Sequence, residues 1–197
     1  MDPTTKATLF IPDMSGFSNF VTNTETLHGQ RITALLLEEI INSTPEDFSV
    51  SEIEGDAVLF YKEGSAIDLK DFLDLTSHIY KNFHIRKEKM IDERVCECGA
   101  CKSIVKLTIK FIVHYGEIAF IDVRNFKKLY GKDVVLAHRL LKNNLKEKEY
   151  VLFTKEYFDS KPIPQINLID WFGPETFSQY IKHFENVEGY FFTKGHH

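Results

Sequence analysis

The order of predicted strands and helices indicates an α+β fold with a ferredoxin-like βαββαβ core and a sheet in which antiparallel strands predominate. Two observations carry this prediction. Short apolar runs alternate with segments whose apolar residues recur at helical spacing, and glycine-containing turns join neighbouring strands. We expect the helices to pack on one face of the sheet. We also expect residues 1–197 to form a single domain, because a chain of this length buries one sizeable core.

The first part of the chain predicts a strand, a helix and a hairpin. Residues 7–11 form an apolar run typical of a buried strand, and residues 30–42 carry apolar side chains at helical spacing. Residues 48–53 and 57–61 predict two strands that flank Glu54-Gly55, a pair typical of hairpin turns.

The remaining elements follow in a similar alternation. They are a long helix over about 67–90, a second hairpin of residues 105–114 and 117–123 around Tyr115-Gly116, a helix over 133–146, a strand over 150–154 and a late β segment over 184–193.

Charge and hydropathy exclude several partners. The formal net charge is −5, and lysines are scattered among acidic residues, so we expect no nucleic-acid partner. No segment has the apolar length needed to cross a bilayer, and the N-terminus lacks a signal pattern. We therefore expect a cytoplasmic protein without a membrane partner. The closing Gly195-His196-His197 is native or the remnant of a tag, and it carries no functional weight.

Two aspartates each lie where an apolar strand meets a turn. Asp13 follows the first strand, and Asp56 lies at the tip of the first predicted hairpin. A carboxylate pair of this kind binds hard cations such as Mg²⁺. The turn Ser15-Gly16-Phe17 follows Asp13, and its backbone N–H groups are suited to phosphate oxygens. The pattern predicts a metal site for a nucleoside triphosphate.

Four short motifs occur in the chain in this order: Phe10-Ile11-Pro12-Asp13-Met14-Ser15-Gly16-Phe17, Gly55-Asp56-Ala57, Val113-His114-Tyr115-Gly116-Glu117 and Tyr130-Gly131-Lys132-Asp133-Val134-Val135-Leu136-Ala137-His138-Arg139. Together they resemble the motifs of the class III nucleotidyl cyclases, and in particular a divergent group of uncharacterised bacterial cyclase-like proteins. Relative to that family, the first motif has one residue inserted between its first Phe and the Asp. The resemblance covers about residues 7–158 and leaves 159–197 as a C-terminal extension.

The resemblance implies metal-dependent conversion of a nucleoside triphosphate to a 3′,5′-cyclic nucleotide and pyrophosphate. Asp13 and Asp56 would hold two Mg²⁺ or Mn²⁺ ions, and Arg139 would meet the charge that develops on the phosphate. The resemblance also implies a homodimer in which the aspartates of one chain face Arg139 of the other.

Three family positions differ in this chain. Glu52 stands in place of the adenylyl-type lysine, Lys128 in place of the base-contacting aspartate and Val135 in place of the ribose-orienting asparagine. Guanylyl-type cyclases carry Glu at the first position, and Glu52 with Lys128 could read guanine, which favours GTP over ATP. The alternative is a catalytically inactive nucleotide-binding or regulatory dimerisation module, in which Glu52 and Lys128 form a salt bridge. Val135 favours this alternative, because an alkyl group cannot replace an amide contact.

The three cysteines of the chain are compressed into one short segment. Cys96, Cys98 and Cys101 have a spacing that suits Zn²⁺ if a fourth ligand arrives. Cys98 and Cys101 could instead form a redox pair, and free cytosolic thiols are the third alternative.

Overall fold

The computed structural model describes residues 4–93, 99–158 and 170–194, without the side chains of residues 100 and 101. Its strands and helices, numbered in chain order, are β1 (Thr5–Ser15), α1 (Phe17–Thr22), α2 (Thr26–Asn42), β2 (Ser49–Glu54), β3 (Ala57–Glu63), α3 (Leu69–Asp92), α4 (Gly99–Ser103), β4 (Thr108–Val123), β5 (Phe126–Tyr130), α5 (Lys132–Leu140), β6 (Tyr150–Thr154), α6 (Lys155–Phe158), β7 (Phe172–Ile181) and β8 (Glu185–Thr193).

The strands form one sheet in the order β2-β3-β1-β4-β6-β8-β7, and β5 pairs with the far part of β4. β4 and β6 are parallel, and the other pairs are antiparallel. The first four strands and the helices α2 and α3 have the ferredoxin-like order. The predicted α+β class and the antiparallel-rich sheet are therefore confirmed.

The helices cover both faces of the sheet, so the expectation that they share one face is wrong. On β1, Phe10 belongs to an apolar cluster shared with α2 and α3, whereas Leu9 and Ile11 belong to a second cluster shared with α5. Successive side chains of a strand point to opposite faces. Because β1 is apolar at odd and even positions alike, it needs cover on both sides.

The hairpin expected around Tyr115-Gly116 does not form there. β4 runs straight through these residues, with Gly116 opposite Ala7 of β1, and the hairpin turn comes later, between β4 and β5. Gly116 serves a close approach instead of a turn. A Cβ at Gly116 would lie 2.4 Å from Oδ2 of Asp133, at the start of α5.

Two further boundaries differ from the prediction. Helix α5 ends at Leu140, six residues early, because the Asn143 side chain donates a hydrogen bond to the Leu140 carbonyl at 2.8 Å. Strand β7 was not predicted, since Gly and Pro near its start obscure the pattern.

Within the described residues, no helix is both long enough and apolar enough to cross a membrane.

Candidate functional site

The β1–β3 pairing brings the two predicted metal-binding aspartates together. Asp13 lies opposite Ala57, and the Met14 N–H donates a hydrogen bond to the Asp56 carbonyl at 3.2 Å. Burial raises the pKa of Asp13, although Lys110 opposes this. Burial and then the negative charge of Asp13 raise the pKa of Asp56 to about 6. The two carboxylates therefore interact electrostatically, and both are partly shielded from solvent.

Lys110 was missed by the sequence reasoning. It lies on β4 directly opposite Asp13, and its Nζ is 3.0 Å from Asp13 Oδ2 and 3.0 Å from the Leu141 carbonyl oxygen. The pairing depends on the register of two strands that are almost 100 residues apart in the chain. No local signal in the sequence could therefore have indicated it.

The carboxylate pair suits a hard cation whose coordination shell is completed by a bound ligand and water. Among the described residues, no group of three or more His, Cys, Asp or Glu side chains could hold a metal ion by itself. Mg²⁺ in phosphate-binding sites commonly takes one or two carboxylates and fills its shell with phosphate oxygens and water. Asp13 and Asp56 match that donor set.

An open cleft of about 1230 Å³ extends from the two aspartates. The predicted phosphate turn, Ser15, Gly16 and Phe17, lines it, and so does Arg139 of α5. Gly16 has φ +88°, in the left-handed region that favours glycine. A single chain thus brings the aspartates, the turn and the arginine to one cleft.

Glu52 and Lys128 lie in a second, smaller cleft of about 660 Å³ between β2, β5 and α5. The Lys128 Nζ is 3.3 Å from Glu52 Oε2, and Nε2 of His138 is 3.2 Å from Glu52 Oε1. Nδ1 of His138 is 3.4 Å from Glu54 Oε2. The sequence reasoning did not place His138 in this cleft, although it lies one turn of helix beyond Val135.

Val135 lies on the rim where the two clefts meet. It lines both of them, and 48% of its surface is exposed. An exposed alkyl group at this position offers no hydrogen bond to a ribose. Arg139 and His138 follow it on the same helix.

The start of α5 is held by contacts of Asp133 with Glu117 and with the buried His114, which explain two of the family motifs. Asp133 Oδ2 accepts a hydrogen bond from the Glu117 N–H at 2.6 Å, and its Oδ1 is 3.5 Å from Nε2 of His114. Burial would raise the pKa of Asp133, but these contacts outweigh it and hold the pKa below its ordinary value. His114 is buried and also lies 2.7 Å from Thr154 Oγ1. It has a packing role, and it positions the helix that carries Arg139.

The cysteine prediction remains outside what the structure describes. Cys96 and Cys98 fall in the gap at 94–98, and the side chain of Cys101 is not among the described ones.

Two sequence comparisons bear on this geometry. A family model described as a protein of unknown function, DUF2652, matches residues 33–150. An uncharacterised protein of Mycobacterium tuberculosis, Rv2561/Rv2562, is 33% identical over 121 residues, which are 61% of this chain and 56% of that protein. The match thus spans little more than half of that relative's length.

Solved structures show the fold. The adenylyl cyclase CyaB from P. aeruginosa has a TM-score of 0.68 at 14% identity, over 98% of this chain and 96% of its own. The guanylyl cyclase Cya2 also has a TM-score of 0.68, at 11% identity, over 98% and 94%. The chain therefore has the fold of the class III nucleotidyl cyclases.

Proposed function

The chain belongs to DUF2652, a family of proteins of unknown function, and we propose that it is a divergent class III nucleotidyl cyclase. The reaction converts a nucleoside triphosphate to a 3′,5′-cyclic nucleotide and pyrophosphate. One observation carries the proposal: Asp13, Asp56 and Arg139 line the same cleft in a chain with the cyclase fold.

The reaction develops negative charge on the attacking oxygen, on the phosphate oxygens and on the leaving pyrophosphate, so the site has to supply positive charge. As the ribose 3′-oxygen bonds to the α-phosphorus, the bond to the bridging oxygen breaks, pyrophosphate leaves and the 3′-hydroxyl proton is released. Asp13 and Asp56 would hold Mg²⁺ or Mn²⁺, which would supply Lewis-acid chemistry that favours loss of this proton and of the leaving group. Arg139 supplies a permanent, planar cation for the phosphate oxygens.

Ser15, Gly16 and Phe17 turn the chain immediately after Asp13, and their position on the cleft suits phosphate binding. This turn places backbone donors beside the carboxylates without adding negative charge. The triphosphate would therefore lie between the turn and the cationic side chains of the cleft.

Glu52 and Lys128 are proposed to read the base, with GTP favoured over ATP. A carboxylate accepts hydrogen bonds from the N1 and N2 hydrogens of guanine, and an ammonium donates to O6. The two groups already lie side by side in the smaller cleft. Binding of guanine requires that Lys128 move from Glu52 towards O6.

Turnover is tested by incubating the purified protein with each of the four nucleoside triphosphates and Mn²⁺ and searching for cyclic products by mass spectrometry. We expect cyclic GMP from GTP, less product from ATP, and none from an Asp56→Asn variant. Absence of any cyclic product from the parent protein would contradict the proposed reaction.

We further propose that the site is completed in a homodimer, as the family resemblance implies. The phosphate cleft and the base cleft of one chain are separate cavities that share Glu54, Val135 and His138 along their common rim. A two-fold dimer would join each phosphate cleft to the partner's base cleft. Mixing Asp56→Asn chains with chains impaired in the base cleft by Glu52→Ala should then restore activity, because one site of the mixed dimer has both clefts intact. No activity would return if one chain supplied both clefts of its own site.

The second candidate function is a nucleotide-binding module without turnover. It is favoured by the exposed Val135 and by the contacts of Lys128 and His138, which engage both carboxylate oxygens of Glu52. In that case GTP binds, and the same assay yields no cyclic product.

A further inference from the structure

The cleft beside the aspartates is bordered by a lysine-rich loop, residues 142–148, which the cyclase motifs do not include. Lys142, Lys146 and Lys148 line the cleft from this loop. None of the three forms an ion pair with the residues that the structure describes.

The loop is fastened at several points before any ligand binds. Leu141, which precedes it, accepts a hydrogen bond from Lys110, and Asn143 donates one to the Tyr150 hydroxyl at 2.6 Å. The Asn144 N–H donates to the Gln179 side chain at 2.9 Å. The lysines are thus carried by a backbone held against β4, β6 and β7.

A further bond joins the loop to the candidate metal site. Ser15 lies two residues after Asp13, and its hydroxyl donates a hydrogen bond to the Lys148 carbonyl oxygen at 2.9 Å. The end of the loop is thereby held beside the turn proposed to bind phosphate.

The charge in this cleft is opposite to that of the whole chain. The protein has a net charge of −5, yet the ionisable groups that line the cleft comprise six Lys or Arg side chains and four carboxylates, apart from His138. Lys110 already neutralises Asp13 at 3.0 Å. Unpaired cations in a concave site raise the local concentration of anions.

We propose that the lysine-rich loop, together with Lys110, binds the polyphosphate tail of the nucleotide directly, so that binding does not require a divalent cation. This inference rests on the proposed function for the identity of the nucleotide. Divalent cations at Asp13 and Asp56 would then be needed for the reaction and not for holding the phosphates. The shared chemistry is a chain of phosphate groups, as in nucleoside triphosphates and inorganic tripolyphosphate.

The test measures binding of tripolyphosphate and of GTP by titration calorimetry in the presence of EDTA. We expect both to bind without metal, and raising the salt concentration should weaken both, since salt screens exposed charges. GTP should bind more tightly because it also fills the base cleft. If neither ligand bound in EDTA, the proposal would be overturned. If tripolyphosphate and GTP bound with equal affinity, the claim that the site binds the polyphosphate tail of a nucleotide would be overturned.

A triple variant tests the loop itself. Lys142→Gln, Lys146→Gln and Lys148→Gln together should weaken tripolyphosphate binding by about three-fold or more, since one exposed charge pair contributes a factor of roughly 1.4 to 5. The matched control changes three exposed lysines of α3 to Gln, at Lys70, Lys81 and Lys89, none of which lines the cleft. Both variants alter the net charge equally. Equal losses in the two would show that only overall charge matters and would overturn the role of the loop.

An Asp56→Asn variant separates this inference from the proposed reaction. Removing a carboxylate from the cleft lowers the repulsion of phosphate groups, so metal-free tripolyphosphate binding should become tighter while cyclic product is lost. Retained binding in a protein that never forms cyclic product would contradict the reaction alone. Unchanged tripolyphosphate binding in the triple lysine variant would contradict only the role of the loop in phosphate binding.

Discussion

The contact between Gly116 and Asp133 gives a sharp test of how α5 is positioned. In a Gly116→Ala variant the new Cβ would lie 2.4 Å from Oδ2 and 2.5 Å from Cγ of Asp133, well inside van der Waals contact. Either the strand and the helix move apart, or the carboxylate rotates away. Rotation would give up the 2.6 Å hydrogen bond from the Glu117 N–H and the contact with buried His114.

Both outcomes have similar magnitudes. Overpacking of a well-packed site costs about 1–3 kcal/mol, and a lost hydrogen bond to a charged group costs about 1.5–3 kcal/mol. We therefore expect Gly116→Ala to lower the free energy of unfolding by about 2–3 kcal/mol. For a chain of this length that lowers Tm by about 4–12 °C.

Urea unfolding monitored by circular dichroism measures the loss, and a double-mutant cycle identifies its source. In an Asp133→Gly background the new Cβ meets neither the carboxylate nor the Asp133 Cβ, which would otherwise lie 2.6 Å away, so the same glycine change should cost less than about 0.5 kcal/mol. The reasoning is refuted if Gly116→Ala costs equally much in both backgrounds, or if it costs less than about 0.5 kcal/mol in the parent protein.

Three further predictions concern the site and the cysteines. Burial, and then the charge of the neighbouring carboxylate, raises the pKa of Asp56 from 3.8 to about 6, so stability falls as pH rises from about 4 to about 6. Asp56→Asn should therefore stabilise the protein by about 1 kcal/mol at neutral pH, after allowance for solvent exposure, and have little effect near pH 4 in urea unfolding; an equal effect at both pH values contradicts this. Glu52→Lys should shift nucleotide preference from GTP towards ATP in competitive binding, and an unchanged preference would remove Glu52 from base reading. If Cys96, Cys98 and Cys101 bind zinc, elemental analysis of protein purified without chelator should find one Zn²⁺ per chain, whereas metal-free protein with all three thiols titratable would exclude both the zinc site and a disulfide.

The elements that the sequence predicted correctly are those with local signals. The first strand, the helix after it and the hairpin around Gly55 follow from periodicity and turn residues within about ten positions. Gly116 was misinterpreted because a glycine needed for a close approach looks the same in sequence as a glycine needed for a turn. The contact that explains it lies 17 residues away, at Asp133.

The candidate site divides in the same way. Asp13 and Asp56 were found because each is part of a short motif, and the structure brings them together as expected. Lys110 was missed, and His138 was quoted in a family motif without being placed beside Glu52, because the neighbours of both residues come from other strands. The salt bridge between Glu52 and Lys128, which the sequence raised as one alternative, is present in the structure.

The fastened backbone of the loop 142–148 has a kinetic consequence. Because Asn143 and Asn144 already hold the loop to β6 and β7, the arrival of an anion has to order only lysine side chains and not the chain that carries them. Ordering the backbone would cost about 1–2 kcal/mol for each residue, and closing a loop over a ligand slows association. A cleft whose backbone is already ordered binds its ligand at a rate governed by diffusion and electrostatic attraction. The residence time of a nucleotide then depends on how tightly its base is bound in the smaller cleft.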